Sequence, residues 1–350
     1  MVLDSEFFAR YPFLPQSKEY VISRKLELTP EFVEAGFSRA QAAIVEGKLP
    51  LFARGVNTAY DREIASYSAC RMMVSLLNSS YFSNRLAVAE SKRASAYLER
   101  EKDADLLVAA QSIGIDAAGA NGAFQVGMAD YLRYTPRDVH YKLVNANLVK
   151  GKVAGLTREK LIRIIEEAVK KRVIAGLGAK GEYPSLVKEY SKKLSQILPK
   201  AEQGVIQIAS ENYPPCIKKL LSDLAISENL PHSARVALAI YLIKAGVDDA
   251  KIVKLFSTAP DFNEGTTKYQ VEYIRKKEYS MPSCATMDSW GICVATCRCF
   301  SPLKFNPKIH GRYAEESMRQ AKETGYGHQD EESGATGAGK QEDSEKGEQG

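Results

Sequence analysis

The chain has 350 residues, 45% of them hydrophobic and 26% charged, enough for two globular domains that each bury a core. Its start, MVLDSEFFARYPFLPQ, lacks a basic region followed by an apolar run, and no window approaches eighteen uninterrupted apolar residues. The expectation is therefore a soluble, cytoplasmic protein with no membrane partner. The formal charge of +5 is unevenly spread: from Ala314 to Gly350 there are ten Asp/Glu and four Lys/Arg, a net of −6, which leaves +11 on residues 1 to 313. A basic body favours a polyanionic partner, because each phosphate neutralised by Lys or Arg releases condensed counterions. Six cysteines in a reducing compartment are a poor disulfide framework, and their clustering points to metal.

In chain order the pattern is predominantly α-helical. Residues 60 to 77 (YDREIASYSACRMMVSLL) and 84 to 102 (NRLAVAESKRASAYLEREK) place apolar groups three and four apart among good helix formers, with turn chemistry in NSSYFS between them. Cys70, inside the first of these, reads as a buried thiol. LLVAAQSIGI, residues 106 to 115, predicts a short strand, and the Gly- and Ala-rich stretch after it a loop, so the N-terminal domain has room for a small α/β part. Asp103 and Asp105 are a candidate two-carboxylate magnesium site if they lie on a strand, where residues one apart share a face. No third carboxylate or adjacent histidine supports them, and solvation of a helix junction is the preferred reading. Thr157 caps a helix whose stripe is Leu161, Ile165, Val169 and Val173, with Glu166, Glu167, Lys170 and Lys171 on the wet side.

A domain boundary is expected between Lys200 and Asn212. In NYPPCIKKLL, Pro215 suits a first helical turn, which puts Cys216 near a helix N-terminus that favours a thiolate. LPHSARVALAIYLIKAG follows, with Ser233 as N-cap, Gly246 as terminator and apolar residues on nearly every side, the pattern of a buried central helix. Arg235 in its first turn is out of place unless it has an anionic or acceptor partner. With His232 beside it, two readings stay open: a salt bridge within the domain, or a phosphate site.

The stretch from Cys284 to Cys299, CATMDSWGICVATCRC, holds four cysteines and the chain's one tryptophan. The gaps are nine, four and two residues, a poor fit to the two tight pairs of a zinc ribbon. An iron–sulfur cluster spreads its thiolates around a cube and tolerates irregular spacing with a distant ligand such as Cys216. The tail, HQDEESGATGAGKQEDSEKGEQG, predicts disorder. Its GATGAGKQ resembles a phosphate-binding loop but has Gln341 where a Ser or Thr should reach magnesium and no strand before it.

Taken together, NYPPCIKKLL, PHSARVALAIYL, YQVEYIRKKEYSMPSCATMDSWGICVATC and SPLKF resemble the large, non-catalytic subunit of the archaeal and eukaryotic type of DNA primase. YPFLPQSKEYV, ASYSACRMMVSLL and LVNANLVKGKV are similar to the archaeal version, so the resemblance covers roughly residues 1 to 310. It implies an N-terminal domain over residues 1–205 that docks a small catalytic subunit, and an all-α C-terminal domain over residues 206–312 that holds one 4Fe-4S cluster, followed by a disordered acidic tail over residues 313–350. The implied ligands are Cys216, Cys284, Cys293 and Cys297, with Cys299 as the alternative fourth. His232 and Arg235 become candidates for contact with the triphosphate or template. Tyr269, Gln270, Tyr273 and Arg275 would add stacking and backbone contacts, unless the two tyrosines, one helical turn apart, pack the core. Implied partners are the catalytic subunit, a single-stranded DNA template, an RNA/DNA primer and the initiating NTP, with no catalytic residue on this chain. Where the family tends to show a tyrosine pair after Pro-Leu, this chain has Phe305 and Asn306. The competing readings are a zinc-stabilised nucleic-acid-binding module and a redox iron–sulfur enzyme; the absence of a CxxxCxxC triplet argues against the radical type of the latter.

Overall fold

The computed structural model describes residues 4–52, 57–136, 139–178, 181–197 and 212–324. The N-terminal part begins with α1 (Ser5–Arg10), α2 (Pro15–Ser23), α3 (Pro30–Gln41), α4 (Asn57–Leu77), α5 (Ser80–Leu98) and α6 (Asp103–Ser112). A small sheet follows, made of β1 (Ala117–Ala120), β2 (Ala123–Gly127), β3 (Asn147–Val149) and β4 (Lys152–Leu156), with α7 (Met128–Tyr134) between β2 and β3. Then come α8 (Arg158–Ala175) and α9 (Ser185–Ser195). The C-terminal part holds α10 (Pro215–Ala225), α11 (His232–Lys244), α12 (Asp249–Phe256), α13 (Glu264–Lys276), α14 (Cys284–Ser289) and α15 (Pro307–Thr324). The expectation of a predominantly helical chain holds.

Helix α8 shows how pattern becomes packing. The Thr157 side chain accepts from the Lys160 N–H at 3.4 Å and starts the helix; Leu161, Ile164, Ile165, Val169 and Val173 are buried, against α5. Each such side chain is worth roughly 1.5–3 kcal/mol of transfer from water. Below them Arg39 on α3 is buried and clamps Glu90 on α5 with two bonds, Nε to Oε1 at 2.6 Å and Nη2 to Oε2 at 2.8 Å. Glu63 on α4 is shared between Arg39 and Arg93. Burial alone would raise the Glu63 carboxyl, but the two guanidinium groups hold it below its ordinary value. This charged cross-brace ties three helices at one level. Cys70 lies fully buried beside it, and burial pushes its thiol up to about 12, the state of an inert core thiol.

Three local expectations are corrected. Residues 103 to 112 are a helix, not a strand: Lys102 in extended conformation precedes two acids that suit a first turn. On a helix Asp103 and Asp105 do not share a face, and Asp103 is consumed structurally, accepting from Arg158 at 2.5 Å and from the Gly122 N–H at 3.1 Å. The stretch expected to be a loop is the β1–β2 hairpin. Asn121 and Gly122 turn it with φ of 53° and 76°, the left-handed pair of a tight type I′ turn. Strand order is β1-β2-β4-β3, all antiparallel, so β3 is an edge. Finally, α11 starts at His232 with Pro231 in the cap position, so Ser233 lies inside the helix.

The C-terminal part packs around α11 as its pattern predicts, with Ala234 and residues 237–242 buried among α10, α12, α13 and α14. Cys216 sits in the first turn of α10 after Pro215, also as expected. Residues 313–324, expected within the disordered tail, are instead helical: α15 runs to Thr324 and seats Ala314 against Ala295, Cys297 and Cys299. The expected boundary between Lys200 and Asn212 lies almost wholly outside the described residues, as does GATGAGKQ. Among the described residues no helix is long and apolar enough to cross a membrane.

The two parts touch at defined points. Asn84 Nδ2 donates to the Ile226 carbonyl at 2.8 Å, and Arg85 Nη1 to the Ala259 carbonyl at 2.7 Å. Arg85 also reaches the carbonyls of Ile44 and Val45, at the end of the π-helical turn after α3. Gly47, with φ of 66°, lets the backbone pass so close to Pro260 that a Cβ there would stand 2.5 Å from the Pro260 oxygen. Lys92 reaches Asp261 at 3.6 Å.

Candidate metal centre and nucleic-acid interface

Five cysteines come together from three segments. Cys216 arrives on α10; Cys284 opens α14, whose N-cap Ser283 accepts from the Thr286 N–H at 3.2 Å; Cys293, Cys297 and Cys299 lie on the irregular segment that follows. Cys284 Sγ and Cys299 Sγ are 3.5 Å apart, and the Cys284 N–H donates to the Phe300 carbonyl at 2.9 Å. The thiols of Cys293 and Cys297 each point to the Ala295 carbonyl at 3.4 Å. Burial, with Cys293, Cys297 and Cys299 nearby, pushes the Cys216 thiol up to about 12; burial with Cys299 and Cys293 does the same to Cys297.

Among the described residues no group of three His, Cys, Asp or Glu is gathered to hold a single metal ion. What suits a metal here is the donor set: five soft, largely buried sulfurs on one side of the domain, two of them in the first turns of helices. Thiols forced together without a cation are driven toward protonation, and a bound cation reverses that. These residues fit an iron–sulfur cluster, whose ligands stand apart around a cube.

Arg235 has three partners. Nε donates to the Leu230 carbonyl at 2.9 Å, while Nη2 donates to Asn229 Oδ1 and, at 2.7 Å, to Asp261 Oδ1. Burial would raise the Asp261 carboxyl, but Arg235 and then Lys92 bring it below its ordinary value. Of the two open readings of Arg235, the salt bridge is observed, and it borders a groove of about 1870 Å3 between the two parts of the chain. His232, exposed at the start of α11, and Gln270, exposed on α13, line the same groove.

Tyr269 and Tyr273 are not core residues. They are 65% and 40% exposed and stack on each other with centroids 6.0 Å apart and planes at 25°, while Tyr273 also meets the Tyr279 ring, 6.2 Å away between centroids, and Lys277. Arg275 is occupied by Asp249, with Nε 2.8 Å from Oδ1, and by the Val247 carbonyl, so it braces α13 to the start of α12. The structure thus gathers His232, Arg235 and Gln270, leaves the tyrosine pair as a separate exposed feature of α13, and pairs the exposed Arg275 with Asp249. Sequence reasoning missed Asp261 and Asn229, which sit in connecting loops, and Trp290, which lines the groove.

A sequence profile of the family described as the C-terminal domain of the eukaryotic and archaeal DNA primase large subunit matches residues 206–327. Over its length the chain is 33% identical to the DNA primase large subunit PriL of Methanocella arvoryzae, across 90% of this chain and 91% of that protein. It is 29% identical to PriL of Methanosarcina mazei, across 92% and 94%, and 30% identical to PriL of Haloarcula marismortui, across 82% and 87%.

Proposed function

Since this chain belongs to the large-subunit family of archaeal and eukaryotic DNA primases, we propose that it is the regulatory, non-catalytic partner of a small catalytic subunit and enables that subunit to begin RNA primers. In this reading the N-terminal part docks the small subunit, while the C-terminal part carries one 4Fe-4S cluster and positions template, initiating NTP and primer 5′ end. The observation that carries it is the meeting of His232, Arg235 and Gln270 on one groove wall.

Arg235 offers the triphosphate a fork of donors. In this reading a phosphate takes the place of the Asp261 carboxylate as its anionic partner in a half-buried setting. His232 adds a donor one helical turn away, at the N-terminus of α11, where the helix dipole favours an anion. Tyr269, backed by Tyr273, offers an exposed ring to unpaired bases. Cys216, Cys284, Cys293 and Cys297 would hold the cluster, with Cys299 the alternative fourth ligand. When bound, it supplies a cross-link between α10 and the segment after α14. For docking, the edge strand β3 supports the reading: Val144, Leu148 and Val149 are 86%, 49% and 46% exposed beside an unpaired strand edge.

The test is reconstitution with the small subunit, comparing de novo dinucleotide synthesis with extension of a ready-made primer. The chain should raise initiation far more than extension; equal effects on both would overturn the initiation role. Iron, sulfide and zinc analysis of anaerobically purified protein tests the cluster, which one zinc per chain and no iron would exclude.

A further inference from the structure

The groove beside His232 and Arg235 has a second wall, built by the N-terminal part of the chain. It is lined by the Ser- and Asn-rich turn between α4 and α5 and by the ends of α7 and α8, including Arg133, Lys170 and Lys171. The charges along the groove are not equally available. Of the acids that line it, Glu167 is paired with Arg163 at 2.9 Å, Asp223 with Lys219 at 3.1 Å and Asp261 with Arg235 at 2.7 Å, which leaves Glu228. Arg133, Lys170 and Lys171 have no carboxylate partner among the described residues. Lys171 Nζ donates instead to the Arg133 carbonyl at 2.8 Å, and Lys171 and the Arg133 guanidinium each stand 5.9 Å from the ring centre of Tyr134. Neutral partners hold these two cations in place without discharging them. A merely solvated helix face does not account for three uncompensated cations on the concave side of a groove whose other charges are mostly cancelled.

We propose that Arg133, Lys170 and Lys171 form a phosphate-binding wall, and that a single nucleic-acid strand passes between it and the His232–Arg235 wall. The N-terminal part then holds template as well as partner. A volume of about 1870 Å3 admits a strand of several nucleotides, and the Ser and Asn side chains of the α4–α5 turn supply uncharged donors for its sugar–phosphate backbone. This inference rests on the nucleic-acid reading of the groove given above and extends it to residues outside the C-terminal part.

Binding of a fluorescent oligothymidylate to the full chain, measured over a range of salt, tests it. For single strands each phosphate contact contributes about 0.7 to the slope of log K against log salt, so replacing all three cations with Ala should lower the slope by about 2 and weaken binding several-fold. Lys170→Arg with Lys171→Arg should keep the slope, and Lys188→Ala with Lys192→Ala, on α9 away from the groove, should leave it unchanged. Trp290, the only tryptophan, lines the groove, so its emission should respond to the oligonucleotide. An unchanged slope in the folded triple variant, or binding with no response from Trp290, overturns the wall. If Arg235→Ala still weakens binding in that case, the function proposed above stands without it. If neither wall matters, both fall.

Discussion

Arg235 and Asp261 meet at 2.7 Å across 26 residues of sequence, and the same carboxylate lies 3.6 Å from Lys92 in the other part of the chain. One acid thus neutralises Arg235 and reaches across to Lys92 on α5 of the N-terminal part. A hydrogen bond to a charged group is worth roughly 1.5–3 kcal/mol, so Arg235→Ala should slow de novo dinucleotide synthesis by about 10- to 150-fold. Extension of a primer lacking a 5′ triphosphate should be nearly unchanged. Thermal midpoint and iron content of the variant must match the parent, because Arg235 also holds Leu230 and Asn229; equal loss in both reactions would assign it to the fold alone.

Replacing a true cluster ligand by Ser should lower iron content or oxidative stability, and replacing a spare should not. Cys297→Ser is expected to be the damaging change. Because Cys299 lies 3.5 Å from Cys284, the reverse result, an intact cluster in Cys297→Ser and loss in Cys299→Ser, would identify Cys299 as the fourth ligand.

A chain ending near Lys200 keeps the whole N-terminal hydrophobic core and should still co-purify with the small subunit while failing to support initiation. Leu148→Glu in the full chain should weaken that co-purification without lowering the thermal midpoint, since the side chain is half exposed on an edge strand. Retention of the complex in Leu148→Glu would move the docking face away from β3.

The charged brace among α3, α4 and α5 should make stability pH-dependent. Glu63 is held below its ordinary value, so its contribution is complete above about 4.5 and is lost as pH falls through its lower folded value. Melting temperature should fall over that window, and Glu63→Gln should flatten the dependence. Arg39→Met strands the buried Glu90 and should cost about 3–5 kcal/mol at neutral pH.

Much of this was legible in the chain because helices announce themselves locally. Thr157 before a stripe of Leu161, Ile165, Val169 and Val173 fixes α8, and Pro215 before Cys216 fixes the start of α10. The β1–β2 hairpin was not legible, because Ala117, Ala118, Ala120 and Ala123 carry little strand preference and the signal is confined to Asn121-Gly122. Asp261 was hidden for another reason: a partner 26 residues away in a loop leaves no periodic trace. The tyrosines stayed open between a binding surface and the core because spacing of one helical turn says that two side chains share a face, not whether that face is wet; both are exposed. Helix α15 lost its signal to its charge; it buries Ala314, a side chain too small to stand out in a polar sequence.

The contacts of Asn84 and Arg85 with the C-terminal part end on main-chain oxygens, those of Ile226 and Ala259. Such an acceptor survives any substitution that leaves the backbone in place, whereas each donor is a single side chain. Mutational sensitivity of these contacts is therefore one-sided: a change at position 226 or 259 leaves the acceptor in place, position 259 being restricted by its burial alone, whereas a change at 84 or 85 removes the donor. Paired substitutions across the junction should be rare among relatives even where the contact persists, so residue covariation would underestimate how closely the two parts are joined.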